Sequence, residues 1–182
     1  TDMGFETYQK ILAEAMEELG VETGLTPKNR NDSYVSDCTI ETDQLALIPD
    51  TYIDVTAEKI RIYKELDSLS SDKELDNLRI RLEDRFGKMP EELQRLFDIV
   101  RIRQLGVKLG FEKIIIKNGV MIAFFISNPL SQYYRSSRFS KVLENVNRNA
   151  KLFEVKQPDG RLRIIVRNVD SIARAHEILK ML

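Results

Sequence analysis

Very few residues of this chain have a type and spacing that would carry chemistry. Among its 182 residues there is one histidine, His176, and one cysteine, Cys38. A single histidine without neighbouring cysteines almost never holds a metal, and one near the end of a helix suits the helix dipole. Cys38 has no histidine at a telling spacing, so we interpret it as a small, half-buried strand residue.

Carboxylate pairs and glycine-rich loops are the other usual signs of a catalytic site. Acidic neighbours such as Glu83 and Asp84 occur within helical patterns, where adjacent side chains point about 100° apart and do not form an acid–base dyad. The chain has neither G-x-x-x-x-G-K-[ST] nor G-x-G-x-x-G, the two common phosphate-binding motifs. The sequence therefore predicts no catalytic residue, no metal site and no cofactor, and it argues against an enzyme.

Arginines near aromatic residues are the remaining candidates for a function. The stretch 132–139 interleaves tyrosines with arginines, a composition typical of a single-strand nucleic-acid platform but also of a loop anchored by two tyrosines. Alternating arginines at 161, 163 and 167 would share one sheet face, either a solvent face or a docking surface for an acidic partner. The candidate nucleic-acid contacts are Arg135, Arg138, Arg161 and Arg163.

The net charge of −1 conceals a strong polarity along the chain. Residues 1–54 contain 3 Lys or Arg against 12 Asp or Glu, whereas residues 111–182 contain 13 against 6. Such polarity is typical of a basic surface for nucleic acid or of halves that attract an oppositely charged partner, although an uneven solvated surface is an equal alternative. No apolar run is long enough to span a membrane and no export signal opens the chain, so we expect a cytoplasmic protein.

The periodicity predicts a helical first half. Residues 4–19 have an amphipathic pattern, and residues 20–37 have the Gly, Pro, Asn and Ser content of a flexible linker. An extended arm over 38–48 ends at Pro49. Three helices joined by short connections follow, over 55–69, from a capping box at 71–74 to Gly87, and from Pro90 to Gly110, with Asp54 a candidate N-cap of the first.

The second half predicts two units of a β-hairpin followed by a helix. Asn118-Gly119 between apolar strands is a strong type I′ turn signal, and the second hairpin turns at 158–160. The helices that follow run over 137–148 and from a cap near Asp170 to the last residue. We predict an α+β fold in which the two hairpins form a small antiparallel sheet covered by helices.

The most specific sequence motifs lie in the helical half. Three stretches of this half resemble the C-terminal (TRCF) domain of the bacterial transcription-repair coupling factors: IPDTYI, KIRIYKEL and LEDRFGKMPEELQRLFDIVRIRQLGVKLG. The most specific marker among them is D-R-F-G-x-x-P at 84–90. The resemblance implies that residues 1–19 end an upstream motor domain, that 20–37 are a linker, and that 38–182 form the TRCF domain. The first residue is Thr and a helical pattern starts almost at once, which is typical of a piece of a longer chain.

The resemblance also implies a regulatory role without catalysis. In that family the parent protein is an ATP-dependent DNA translocase that binds RNA polymerase, DNA and the damage sensor UvrA. Its C-terminal domain is autoinhibitory, since it docks on an N-terminal module similar to the excision-repair helicase UvrB and masks the surface that recruits UvrA. By this resemblance the docking residues would be Arg81, Asp84 and Arg85, while a helix-ending role for Asp84 and Arg85 is the alternative. The competing hypothesis is a nucleic-acid-binding module that uses the basic second half.

Overall fold

The structure is a computed structural model that describes residues 34–182. The predicted helix over 4–19 and most of the predicted linker over 20–37 lie outside these residues. The described chain divides into two compact units, one comprising residues 45–100 and the other residues 34–44 and 101–182. The first unit is mainly helical and the second combines a sheet with helices, and each is described by itself.

Three helices dominate the first unit. They are α1 (Thr56–Ser68), α2 (Asp72–Phe86) and the first part of α3 (Glu91–Leu109). Each presents one apolar stripe at helical spacing, and the stripes meet in one core with the Pro-containing segment before α1. Members of this core that are at most 2% exposed are Ile48, Ile62, Tyr63, Leu66, Leu75, Leu78, Met89, Leu93, Leu96, Phe97 and Val100.

The predicted helix limits are confirmed, with exceptions in capping. Ser71 is the predicted N-cap, since its hydroxyl accepts from the Glu74 amide at 3.3 Å. The Glu74 carboxylate accepts from the Ser71 hydroxyl at 3.1 Å rather than from the Ser71 backbone amide, so only the serine half of the capping box is present. Asp54 is not a cap, because Val55 occupies the N-cap position of α1 and no side chain there accepts a hydrogen bond. This helix end instead depends on the packing of its apolar stripe against the unit's core.

The second unit contains a five-stranded sheet in the order β1-β2-β3-β5-β4. Its strands are β1 (Thr39–Thr42), β2 (Phe111–Lys117), β3 (Val120–Phe125), β4 (Glu154–Lys156) and β5 (Arg163–Arg167). The two hairpin regions pair antiparallel as predicted, through β2–β3, β3–β5 and β4–β5. The predicted extended arm supplies β1, which pairs parallel to β2 and makes the sheet mixed.

Two helices follow the hairpins, α4 (Ser137–Arg148) and α5 (Ile172–Leu179). The N-cap of α5 is Ser171, next to the predicted position, and its hydroxyl accepts from the Arg174 amide at 3.0 Å. The Asn118-Gly119 turn has φ of 53° and 74°, the positive values that a type I′ hairpin needs.

One face of the sheet is covered by helices. The ring of Phe125 on β3 lies 5.6 Å from that of Phe139 on α4, and Gly106 of α3 packs against Cys38 and Ile114. A β-carbon on Gly106 would lie 2.7 Å from the Cys38 sulfur, so the segment leading into β1 approaches α3 at a distance that only glycine permits. Cys38 is 1% exposed rather than half-buried, and burial raises the pKa of its thiol to about 12.

Candidate docking surface

The candidate docking residues Arg81, Asp84 and Arg85 lie together on the last turns of α2. All three side chains are exposed. The buried stripe of the same helix is formed by Leu75, Leu78 and Leu82, and Asp84 lies on the side of the helix opposite that stripe. The spacing i, i+3, i+4 brings them to one surface, as helix geometry requires.

The two arginines are held by carboxylates of the preceding helix. Arg81 forms an ion pair with Glu65, and Arg85 forms one with Glu58. Glu58 also pairs with Arg61 at 2.5 Å within its own helix. The guanidinium of Arg85 lies 4.8 Å from the ring centroid of Phe86 as well, so this side chain is restrained from two directions.

Asp84 differs from both of its neighbours. It is exposed, and within residues 34–182 its carboxylate forms no ion pair or side-chain hydrogen bond. The neighbouring acid Glu83 instead accepts from Arg79 at 3.4 Å and from the Met89 amide at 3.3 Å. The surface therefore presents one unpaired acid between two partly neutralised cations, an arrangement that a basic group on a partner would complete.

The turn after α2 fixes the position of Asp84. Gly87 ends the helix with φ 89°, and its amide donates to the carbonyl of Glu83 at 3.0 Å. The Tyr52 hydroxyl donates toward the carbonyls of Gly87 at 2.8 Å and Leu82 at 3.2 Å, and burial raises the pKa of Tyr52. These hydrogen bonds satisfy carbonyls that a helix end leaves unpaired, so they hold the last turns of α2 in place.

Sequence reasoning missed three residues of this surface. Glu58 and Glu65 are separated from their arginine partners by 27 and 16 residues, and no local pattern predicts such pairs. Ile80, which immediately precedes Arg81, is 58% exposed. The exposure of Ile80 could have been predicted from the sequence, because this residue falls outside the apolar stripe of its own helix.

The candidate nucleic-acid residues form two separate pairs in the second unit. Arg135 lies in a short 3-10 helix (Gln132–Arg135) and Arg138 in the first turn of α4, and both are exposed. Arg161 and Arg163 stack on one ring, with their guanidinium carbons 5.1 and 4.7 Å from the centroid of Phe124.

The two tyrosines beside Arg135 anchor the loop, as one of the two interpretations expected. Tyr133 is 0% exposed and its hydroxyl donates to the Leu109 carbonyl, while the half-buried Tyr134 donates to the Ile126 carbonyl. Burial raises the pKa of both hydroxyls. Because these rings pack against other aromatic rings of the unit, they are not free to stack on bases.

Other site chemistry is sparse in the part of the chain that the structure describes. Over residues 34–182 no group of three or more His, Cys, Asp or Glu side chains is arranged to hold a metal ion. None of the helices in this range has both the length and the apolarity to cross a membrane. His176 lies in the last turn of α5 and is half-buried, as expected of a helix-end histidine.

Comparison with known proteins gives consistent matches. The family model described as the TRCF domain matches residues 42–136. The transcription-repair-coupling factor of Rickettsia typhi is 29% identical over 181 residues, and that of Escherichia coli K12 is 31% identical over 112 residues. These alignments cover 98% and 62% of this chain but only 15% and 10% of the two relatives, so the chain spans a small part of their length.

A solved structure shares the fold. The crystal structure of a C-terminal domain of transcription-repair coupling factor superimposes with a TM-score of 0.66 at 18% identity. The match covers 80% of this chain and 88% of that one. At this identity the likeness concerns the architecture alone.

Proposed function

The chain belongs to the TRCF domain family, as its resemblance predicted, and we propose that it is a regulatory docking domain of a transcription-coupled DNA-repair translocase. It would dock on an N-terminal UvrB-like module of the parent protein and mask the surface that binds UvrA. The chain itself would do no catalysis. The motor activity and the contacts with RNA polymerase and DNA would belong to other parts of the parent, whose relatives are far longer than this chain.

Asp84 is the observation that carries this proposal. An exposed acid is ordinary, but this one lies between two arginines that are both tied to other carboxylates. Its own charge has no partner within the described residues. It lies inside the family match and at the end of a rigid helix, so a partner would meet it in a fixed geometry.

The proposal assigns different roles to the three residues. Asp84 would form the charged contact across the interface. Arg81 and Arg85 would leave its charge available, because their ion pairs with Glu65 and Glu58 hold two nearby cations that would otherwise neutralise it. The exposed Ile80, one turn before Asp84, would add an apolar contact beside the charge.

The test is binding of this chain to the separately expressed N-terminal module, measured by calorimetry at two salt concentrations. We expect Asp84→Lys to weaken binding by at least about tenfold, which corresponds to 1.4 kcal/mol. Glu144→Lys is the matched control, because it makes the same charge change on an exposed helix position in the other unit. Equal affinity of the wild type and Asp84→Lys would contradict the proposed contact, and no binding by the wild type would contradict the docking role.

A nucleic-acid-binding module is the second candidate, and one observation favours it. Residues 101–182 contain 16 Lys or Arg against 6 Asp or Glu, and Arg163 has no carboxylate partner among the described residues. Titration of labelled single-stranded DNA at two salt concentrations tests it, since phosphate contacts make affinity fall steeply with salt. Tight, salt-sensitive binding that requires Arg135, Arg138, Arg161 and Arg163 would favour this candidate over docking.

A further inference from the structure

The sheet of the second unit has a second face, which the proposed docking role does not use. Side chains alternate between faces along a strand. On β2, Ile114 and Ile116 are at most 1% exposed on the helix-covered face, whereas Ile115 between them is half-buried. The same alternation holds on β3 and β5, so Ile115 marks a distinct face, called here the open face.

A row of three isoleucines crosses the centre of the open face. Ile115 is paired with Ile122, and Ile122 with Ile165. The row ends in an acid on each side, because Glu41 pairs with Ile115 and Glu154 with Ile165 in the strand register. All five side chains are half-buried. The result is an apolar strip across the three central strands, with a glutamate on each edge strand.

Basic side chains flank this strip on both sides. One neighbouring row contains Lys113, Phe124, Arg163 and Lys156 in register across β2, β3, β5 and β4. The row on the other side contains Lys117, Val120 and Arg167. An apolar strip between two cationic rows is complementary to a segment that has apolar and acidic side chains.

The two glutamates neutralise only some of these cations. Glu41 pairs with Lys113 at 2.9 Å and with Lys117 at 3.5 Å, and Glu154 pairs with Arg167 at 3.1 Å. The side chains of Arg163 and Lys156 form no ion pair or hydrogen bond with any described residue. Both lie in the same row, on adjacent strands and directly opposite each other, so their charges are concentrated at one place.

The stacking on Phe124 fixes the geometry of Arg163. Its guanidinium lies 4.7 Å from the ring centroid, and that of Arg161 lies 5.1 Å from the same ring. The Nε atoms of both arginines are buried without a hydrogen bond. A planar guanidinium held in this way is preorganised to receive a carboxylate, at a smaller cost in side-chain entropy than a mobile lysine.

We propose that the open face binds an acidic amphipathic protein segment. Its apolar side chains would lie on Ile115, Ile122 and Ile165, and its carboxylates would meet Arg163 and Lys156. Arg163 would determine specificity for acidic over neutral segments. This interaction is additional to the docking role of α2 and uses none of its residues.

Nucleic acid fits this face less well. The isoleucines give bases no aromatic surface on which to stack, and the ring of Phe124 is already covered by two guanidiniums. Glu41 and Glu154 stand at the two ends of the strip, where they would repel a phosphate backbone that ran along it. A protein segment is free to place its own neutral or basic residues at those ends.

The test uses the full 182-residue chain and a labelled synthetic helix with leucines at i, i+3, i+4 and i+7 and glutamates elsewhere. A peptide of about 18 residues is long enough to form this helix on a surface. We expect fluorescence anisotropy to show binding that Arg163→Glu weakens by about tenfold or more and that Ile122→Asp abolishes. Lys141→Glu, an exposed position on α4, is the matched control and should leave affinity within about twofold.

Four results would overturn the proposal. They are no binding, equal binding of a peptide with lysine in place of glutamate, affinity that Arg163→Glu leaves unchanged, and tighter Arg163-dependent binding of oligo-dT. Arg163→Gln, with circular dichroism and thermal melting, separates loss of charge from loss of folding. Asp84→Lys should bind the peptide as the wild type does, so this test and that of the α2 surface fail independently.

Discussion

The two candidate binding surfaces, one in each unit, leave opposite charges without partners among the described residues. Residues 45–100 contain 13 Asp or Glu against 9 Lys or Arg, whereas residues 34–44 and 101–182 together contain 9 against 16. On the α2 surface of the first unit, Arg81 and Arg85 are paired with glutamates of α1, and the acid Asp84 has no partner among the described residues. On the open face of the second unit, Glu41 and Glu154 are paired, and the side chains of Arg163 and Lys156 have no acidic partner among the described residues.

This difference agrees with the two proposed binding surfaces, which would take different partners. A basic partner would complete the α2 surface, and an acidic one would complete the open face of the sheet. A chain whose net charge is only −1 therefore has one surface suited to a basic partner and another suited to an acidic partner. The units also differ in their cores, because the first is formed by helical stripes, whereas in the second the side chains of Cys38 and Ile114 approach Gly106 at a distance that only glycine permits.

Two glycines with positive φ give the largest expected contrast between the units. Gly110 has φ 96°, and an added β-carbon would lie 2.2 Å from the buried ring of Tyr133. Gly87 has φ 89° but nothing within 4 Å of that position. We expect Gly110→Ala to cost about 4 kcal/mol from strain and overpacking, and Gly87→Ala about 2 kcal/mol from strain alone. Urea denaturation measures both, and equal losses would contradict the tighter packing of the second unit.

Adjacent isoleucines on β2 test the contrast between the two sheet faces. Ile114 is 0% exposed on the covered face, and Ile115 is half-buried on the open face. Ile114→Ala should lower the free energy of unfolding by about 3 kcal/mol, because it removes apolar contacts and leaves a cavity. Ile115→Ala should cost about 1 kcal/mol. A loss at Ile115 as large as that at Ile114 would mean that the open face is covered within the free chain.

The ion pairs of the first unit should contribute little to its stability. Arg85 is 59% exposed at its side chain and pairs with Glu58. We expect a double-mutant cycle of Arg85→Gln and Glu58→Gln to give a coupling of about 0.5 kcal/mol, reduced in high salt. Coupling above about 2 kcal/mol that is insensitive to salt would instead assign these pairs a structural role.

The smallest expected effect concerns pH and the edge of the open face. The hydrogen bond from Lys113, with the charges of Lys113 and Lys117, lowers the pKa of Glu41 below its ordinary value. A carboxyl with a lowered pKa stabilises the fold above its unfolded pKa, and this stabilisation is lost as the pH falls through the folded pKa.

Thermal melting of the wild type and Glu41→Gln measures this contribution. The wild type should melt slightly higher at neutral pH, and the difference should disappear in strongly acidic buffer. Glu144→Gln is the control, since Glu144 lies on an exposed helical face and its pair with Arg148 is within one helix. A difference for Glu41→Gln that persists after protonation would show that the side chain acts through packing rather than charge.

Much of the fold follows from local patterns in the sequence. Within residues 34–182, the helix periods, the capping signal at Ser71 and the Asn118-Gly119 turn correctly placed the elements they predicted. Local patterns did not predict that β1 pairs parallel to β2, because the sequence of an extended segment does not specify which strand it will pair with. Asp54 was wrong as a cap because packing can establish a helix start without a side-chain hydrogen bond.

The sequence by itself determined which residues are helical, which alternate along strands and which charges lie on each segment, because backbone geometry fixes the spacing of side chains within an element. Only the tertiary structure decided which charges are neutralised. Arg81 and Arg85 form ion pairs with carboxylates on another helix. Among the described residues, Asp84 has no basic partner and Arg163 has no acidic partner. Such pairing depends on how distant segments pack, and packing is set by the summed burial of apolar surface rather than by the charges themselves.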